Sequence, residues 1–124
     1  MIKGIITNLM FVENMKESRN FYCRLFDVAP FEEDEMFCSF KLGNTYFNLH
    51  LADDKSPKSK GGSVSYLNVD DFKTFVERAK SFDMKMYRGP LEVKEIGRTI
   101  CQLEDPFGNV IGVEGELGHK RVVI

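Results

Sequence analysis

Apolar and polar residues alternate loosely from Gly4 to Val12, a stretch rich in Ile, and that period of two predicts a strand. The period then lengthens. Met15, Phe21, Tyr22, Leu25 and Phe26 recur at helical spacing and form one apolar stripe. Asn14 stands where an N-cap belongs, Glu17 three residues on completes a capping-box pattern, and Pro30 stops any continuation. From Met36 the period returns to two, with Met36, Cys38, Phe40 and Leu42 on one face and Phe37, Ser39 and Lys41 on the other. Gly43-Asn44 is a hairpin turn signal, and the returning strand from Thr45 to Leu51 sets Phe47, Leu49 and Leu51 against Tyr46, Asn48 and His50.

The plan then repeats. Val12-Glu13-Asn14-Met15-Lys16 has a counterpart in Val69-Asp70-Asp71-Phe72-Lys73, 57 residues later counting from Asn14 to Asp71. In the second copy Ser63 to Val69 reads as a strand, and Asp70 or Asp71 caps a helix from Phe72 to about Phe82 with Phe72, Phe75, Val76, Ala79 and Phe82 as its buried stripe. A short strand near Lys85 to Tyr87, a Gly89-Pro90 turn and a loop to Gly97 come next. A last hairpin pairs Arg98 to Glu104 with Val110 to Leu117 through Asp105-Pro106-Phe107-Gly108-Asn109. In that turn Asp105 suits capping of backbone N–H groups, Pro106 fixes φ, and Gly108-Asn109 accept left-handed conformations, so a structural role is expected for Asp105. The polar segment 54–62 reads as a linker between repeats at about 4–53 and 63–117 of a single domain spanning 1–124, and 118–124 as a tail.

Composition narrows the function. A chain of 124 residues buries roughly two-thirds of its unfolded surface, and eleven Phe with no Trp make aromatic packing a main source of that burial. Seventeen basic and nineteen acidic residues are well mixed, giving a net charge of −2 and no field suited to nucleic acid. Three widely spaced cysteines, Cys23, Cys38 and Cys101, match neither a complete disulfide framework nor a zinc spacing, and a reducing, cytoplasmic setting is expected. No apolar run has the length of a signal peptide or a membrane span, and no phosphate-binding glycine loop is present.

The helix starts at Val12 and Val69, the Ser18-Arg19-Asn20-Phe21-Tyr22 stretch and the Asp105-Pro106-Phe107-Gly108-Asn109 turn together resemble the vicinal-oxygen-chelate superfamily of glyoxalases, bleomycin-resistance proteins and dioxygenases. The resemblance runs from about Gly4 to Leu117. It implies an α+β fold of two tandem βαβββ modules, forming a curled mixed sheet around an open cleft, and a homodimer. It also implies, for the enzymes, a divalent metal held by His and Glu side chains from four equivalent strands. Counted onto this chain, those positions fall on Thr7, Val64, Gly112 and, taking Leu49-His50-Leu51 as the equivalent of Leu-Glu-Leu, His50. Three of the four cannot act as such ligands, and a catalytic metal needs about three.

The expectation is therefore no metal and no cofactor, with a small organic ligand held as in the bleomycin-resistance branch. Thr7, Phe37, Tyr46, Asn48, His50, Tyr66 and Glu114 are the candidate binding residues. The aromatics among them suit stacking, although a subunit interface also favours Tyr and Phe. An alternative is a metal-dependent lyase, isomerase or dioxygenase with His50, Glu114 and a further group such as Glu116 or His119. A module that docks a protein partner is the third reading.

Overall fold

The computed structural model describes residues 1–116 and divides the chain into two compact units, one spanning Met1–Ser59 and a second beginning at Lys60. The expectations for the tail 118–124, for Leu117 and for His119 lie outside the described residues. In the first unit β1 (Thr7–Val12) leads into α1 (Met15–Phe26), followed by β2 (Glu32–Glu33), β3 (Phe37–Leu42) and β4 (Thr45–Leu51). The strands form one sheet in the order β1-β4-β3-β2, with β1 parallel to β4 and the other pairs antiparallel. The second unit repeats this with β5 (Tyr66–Asp71), α2 (Phe72–Ser81), β6 (Lys85–Val93), β7 (Arg98–Glu104) and β8 (Val110–Glu116), in the order β5-β8-β7-β6. The α+β class and the tandem modules are as the resemblance implies.

Both helices start by the same device. The Asn14 side chain accepts from Glu17 N at 3.0 Å, and the Asp71 side chain accepts from Thr74 N at 3.0 Å, each satisfying an amide that the helix itself leaves unpaired. Helix α1 ends before Pro30, at Asp27, whose left-handed φ of 56° turns the chain away. The amphipathic stripes then find their partners. Phe21, Tyr22 and Leu25 of α1 are buried together with Met10 and Val12 of β1, Cys38 and Phe40 of β3, and Phe47 and Leu49 of β4. Aromatic rings supply the centre: Tyr22 lies 5.6 Å from Phe47, and Phe26 lies 5.1 Å from Phe47 and 5.5 Å from Phe40. In the second unit Phe72, Val76 and Ala79 of α2 are buried, as are Cys101, Leu103, Ile111 and Val113 of the sheet.

Two details depart from the sequence pattern. Strand β6 continues through Gly89-Pro90 to Val93, with register shifts on either side of Arg88, where a turn and loop are predicted. It is the last strand in its sheet order, and proline, lacking an N–H, is tolerated at such a position. The two-residue β2, made of Glu32 and Glu33, carries no apolar alternation and leaves no pattern to read. No described helix is long and apolar enough to cross a membrane.

Candidate functional site

Each sheet has one face against its own helix and one face without a helix, and the period of two places the candidate residues on the second kind. In the first sheet the pairing register lays out three rows. Thr7, Tyr46 and Lys41 stand side by side; so do Leu9, Asn48 and Ser39, and then Phe11, His50 and Phe37. Thr7, Phe37, Tyr46, Asn48 and His50 are therefore brought together on one surface. Leu9, Phe11 and Ser39, which the sequence reading did not single out, complete it, and strand parity from Thr7 and Phe37 would have found them.

The polar groups on this surface are set by local bonds. Ser39 Oγ donates to Asn48 Oδ1 at 2.6 Å, which fixes the amide and leaves its nitrogen without a partner among the described residues. His50 Nδ1 lies 2.9 Å from the Leu51 carbonyl oxygen. A carbonyl can only accept, so Nδ1 carries a proton, and when the ring is neutral Nε2 is an acceptor. Phe11 meets the His50 ring edge-on at 5.9 Å, and Phe31 packs on Tyr46 at 5.6 Å. The middle row sets Asn48 and Ser39 beside the apolar Leu9, and the row of His50 carries two phenylalanines, Phe11 and Phe37.

The second sheet is arranged differently. Tyr66, Gly112 and Gln102 share one row, and Asn68, Glu114 and Ile100 the next. Tyr66 rests on the bare backbone of Gly112: a Cβ built there would lie 2.6 Å from Tyr66 Cδ2 and 2.7 Å from its Cγ. Gln102 Nε2 donates to the Tyr66 hydroxyl at 3.0 Å, holding the far end of the ring. Glu114 is bound by Arg98, whose Nε donates to Oε2 at 3.2 Å; Arg98 Nη2 also reaches Asn68 Oδ1. Gln102, Asn68 and Arg98 were not predicted. Their parity with Tyr66 and Glu114 was available, but nothing in the sequence marks such residues as bonded.

The registers also show which positions correspond. Counted back from the two helix caps, Leu9 corresponds to Tyr66 and Phe11 to Asn68. The strand partners of the first pair are Asn48 and Gly112, and those of the second pair are His50 and Glu114. The equivalent of Gly112 in the first unit is thus Asn48, two residues from the His50 that the Leu-His-Leu likeness suggests, and on the same face.

A metal of the kind the resemblance implies does not fit these residues. Thr7, Val64, Asn48 and Gly112 carry no carboxylate or imidazole, the Tyr66 ring fills the space a side chain at 112 would need, and Glu114 is engaged by a cation. Among the described residues no three His, Cys, Asp or Glu side chains are grouped so as to hold a metal ion. The buried thiols offer no nucleophile: burial pushes both Cys38 and Cys101 up to about 11. The Asp105 carboxylate belongs to the turn, since Oδ1 accepts from Phe107 N and Asn109 N at 2.9 Å each.

Residues 4–113 match the family model described as Glyoxalase/Bleomycin resistance protein/Dioxygenase superfamily. No curated protein sequence matches the chain. Among solved structures, a glyoxalase/bleomycin resistance protein/dioxygenase family enzyme from Burkholderia phytofirmans is similar with a TM-score of 0.74 and 17% identity, covering 90% of this chain and 97% of that one. A glyoxalase-related enzyme from Fulvimarina pelagi gives 0.72 and 14%, over 93% and 89% of the two chains. A lactoylglutathione lyase from Agrobacterium tumefaciens gives 0.67 and 15%, over 92% and 94%. At such identities these likenesses establish the fold.

Proposed function

The chain belongs to the glyoxalase/bleomycin resistance protein/dioxygenase superfamily, and from that premise we infer that it binds a small organic molecule on the helix-free faces of its sheets without a resident divalent metal. The observation that carries this reading is the Tyr66 ring lying on Gly112, at the position where the resemblance expects a carboxylate ligand. An aromatic surface has taken the place of a metal donor. On the first sheet Phe11 and Phe37 flank His50, and the next row presents the Asn48 amide nitrogen, without a partner among the described residues, a combination suited to apolar burial with oriented hydrogen bonds. Thr7 and Tyr46 extend that surface, and on the second sheet, taken by itself, Tyr66 and Glu114 are the binding candidates.

Binding of this kind sequesters a molecule and requires no bond to be made or broken. The chain would act as a homodimer in a reducing cytoplasm; the exposed Ile5, Ile6 and Leu9 in and just before β1 support a second copy covering that region. A thermal-shift screen tests the reading, because a ligand that prefers the folded state raises the melting temperature. Aromatic antibiotics and thiol conjugates are expected to include compounds that raise it, with the effect reduced in Asn48→Leu and His50→Phe variants. A rise produced by divalent metals alone, and lost in His50→Ala, would favour the metalloenzyme instead.

A further inference from the structure

Arg98 is held from three directions on the helix-free face of the second sheet. Its Nε donates to Glu114 Oε2 at 3.2 Å, and its Nη2 donates to Asn68 Oδ1 and, at 3.3 Å, to the Glu114 backbone oxygen. These bonds use three of the five N–H groups of a guanidinium. The two on Nη1 have no partner among the described residues, and the side chain is 25% exposed. Glu114 engages Nε through a single carboxylate oxygen, so the two-bond carboxylate–guanidinium fork is not made. The result is a fixed cation with one donor edge to spare.

Tyr66 lies two residues from Asn68 on the same face of the same strand, hence roughly 7 Å away. The residue is 40% exposed, and its ring is supported beneath by Gly112 and tethered at the hydroxyl by Gln102. A ring and a charged donor, each already immobilised, lose little conformational freedom on binding. Their separation suits one molecule touching both. We propose that this face recognises a flat aromatic carboxylate, its ring stacked on Tyr66 and its carboxylate accepting from Nη1 of Arg98.

The inference rests on the small-molecule reading and narrows it to a substrate class. It is tested on the intact, isotopically labelled protein by NMR titration with two probes, 2-naphthoate and 2-naphthylmethylammonium. Naphthoate is expected to shift the amides of Tyr66, Asn68, Gly112 and Glu114 and the Arg98 Nε–H, and to bind about tenfold more tightly than the cation or better, as charge-assisted hydrogen bonds are the strong ones. Arg98→Gln should abolish that preference, whereas Tyr66→Leu should weaken both probes. Equal affinity for the two probes, or shifts confined to the first sheet, would overturn this inference and leave the small-molecule reading standing. Loss of shifts on both faces would count against both. Should Arg98→Gln fail to fold, the wild-type Arg98 Nε–H decides: a resonance unmoved at saturating naphthoate overturns the assignment.

Discussion

Replacing Gly112 with alanine tests whether the Tyr66 ring occupies the space of a side chain at that position. The added Cβ would stand 2.6–2.8 Å from Cδ2, Cγ and Cε2 of Tyr66, about 1 Å inside an ordinary carbon–carbon contact. Those atoms include the root of the ring, so rotation of a flexible tip cannot relieve the overlap. The ring must swing off the strand, which costs about 1–3 kcal/mol as overpacking and up to about 1 kcal/mol more if the Gln102 bond to its hydroxyl is lost. At about 2.1 cal/mol/K per residue, 1 kcal/mol lowers the melting temperature of a chain this long by about 4 °C. In a Tyr66→Ala background the obstacle is gone, and alanine for glycine in a strand becomes neutral or stabilising by about 0.5–1 kcal/mol. Urea unfolding of the four proteins, followed by circular dichroism, gives the coupling energy directly, provided the slope with urea is unchanged. An equal cost of Gly112→Ala in both backgrounds would refute the reasoning.

Further outcomes follow from single groups. Asp105→Ala should cost about 2–4 kcal/mol in urea unfolding, because Phe107 N and Asn109 N lose their acceptor inside a buried turn, while Asp105→Asn, which keeps one carbonyl oxygen, should cost less. Ser18 is 1% exposed and its hydroxyl has no hydrogen-bond partner among the described residues, so Ser18→Ala should raise stability by up to about 1 kcal/mol; a loss above that size would show a hidden partner. The thiols of Cys38 and Cys101 are raised from 9.0 to about 11, so the folded state keeps protons that the unfolded chain gives up. Their contribution is complete below pH 9 and is lost as pH rises from about 9 to 11, on the order of 3 kcal/mol for each thiol. A Cys38→Ala, Cys101→Ala double variant should show a shallower fall in stability between pH 8 and 10.5 than the wild type; identical slopes would contradict that origin.

The fold was legible because its determinants are local and duplicated. Asn14 and Asp71 mark both helix starts, Gly43-Asn44 and the Asp105 to Asn109 turn mark the hairpins, and strand parity assigned Phe47 and Leu49 to the core. What escaped notice lacks a pattern of its own. Two glutamates make β2, and Gly89-Pro90 reads as a turn until the strand order places β6 at an edge. The candidate surface was half legible. Parity gathered Thr7, Tyr46, Asn48, His50 and Phe37 on one face, but the Arg98 bonds to Glu114 and Asn68 depend on register across three strands. The position equivalent to Gly112 required the same information: a Leu-His-Leu likeness points to His50, and only the pairing of β1 with β4 moves it to Asn48.

The central claim is that these faces hold an organic molecule and not a metal ion. Isothermal titration of the tag-free protein with zinc, manganese, nickel and ferrous ions tests it most directly. No stoichiometric site is expected for any of them, and whatever weak heat appears should be unchanged in a His50→Ala, Glu114→Gln variant. One tightly bound ion per chain, lost in that variant, would contradict it.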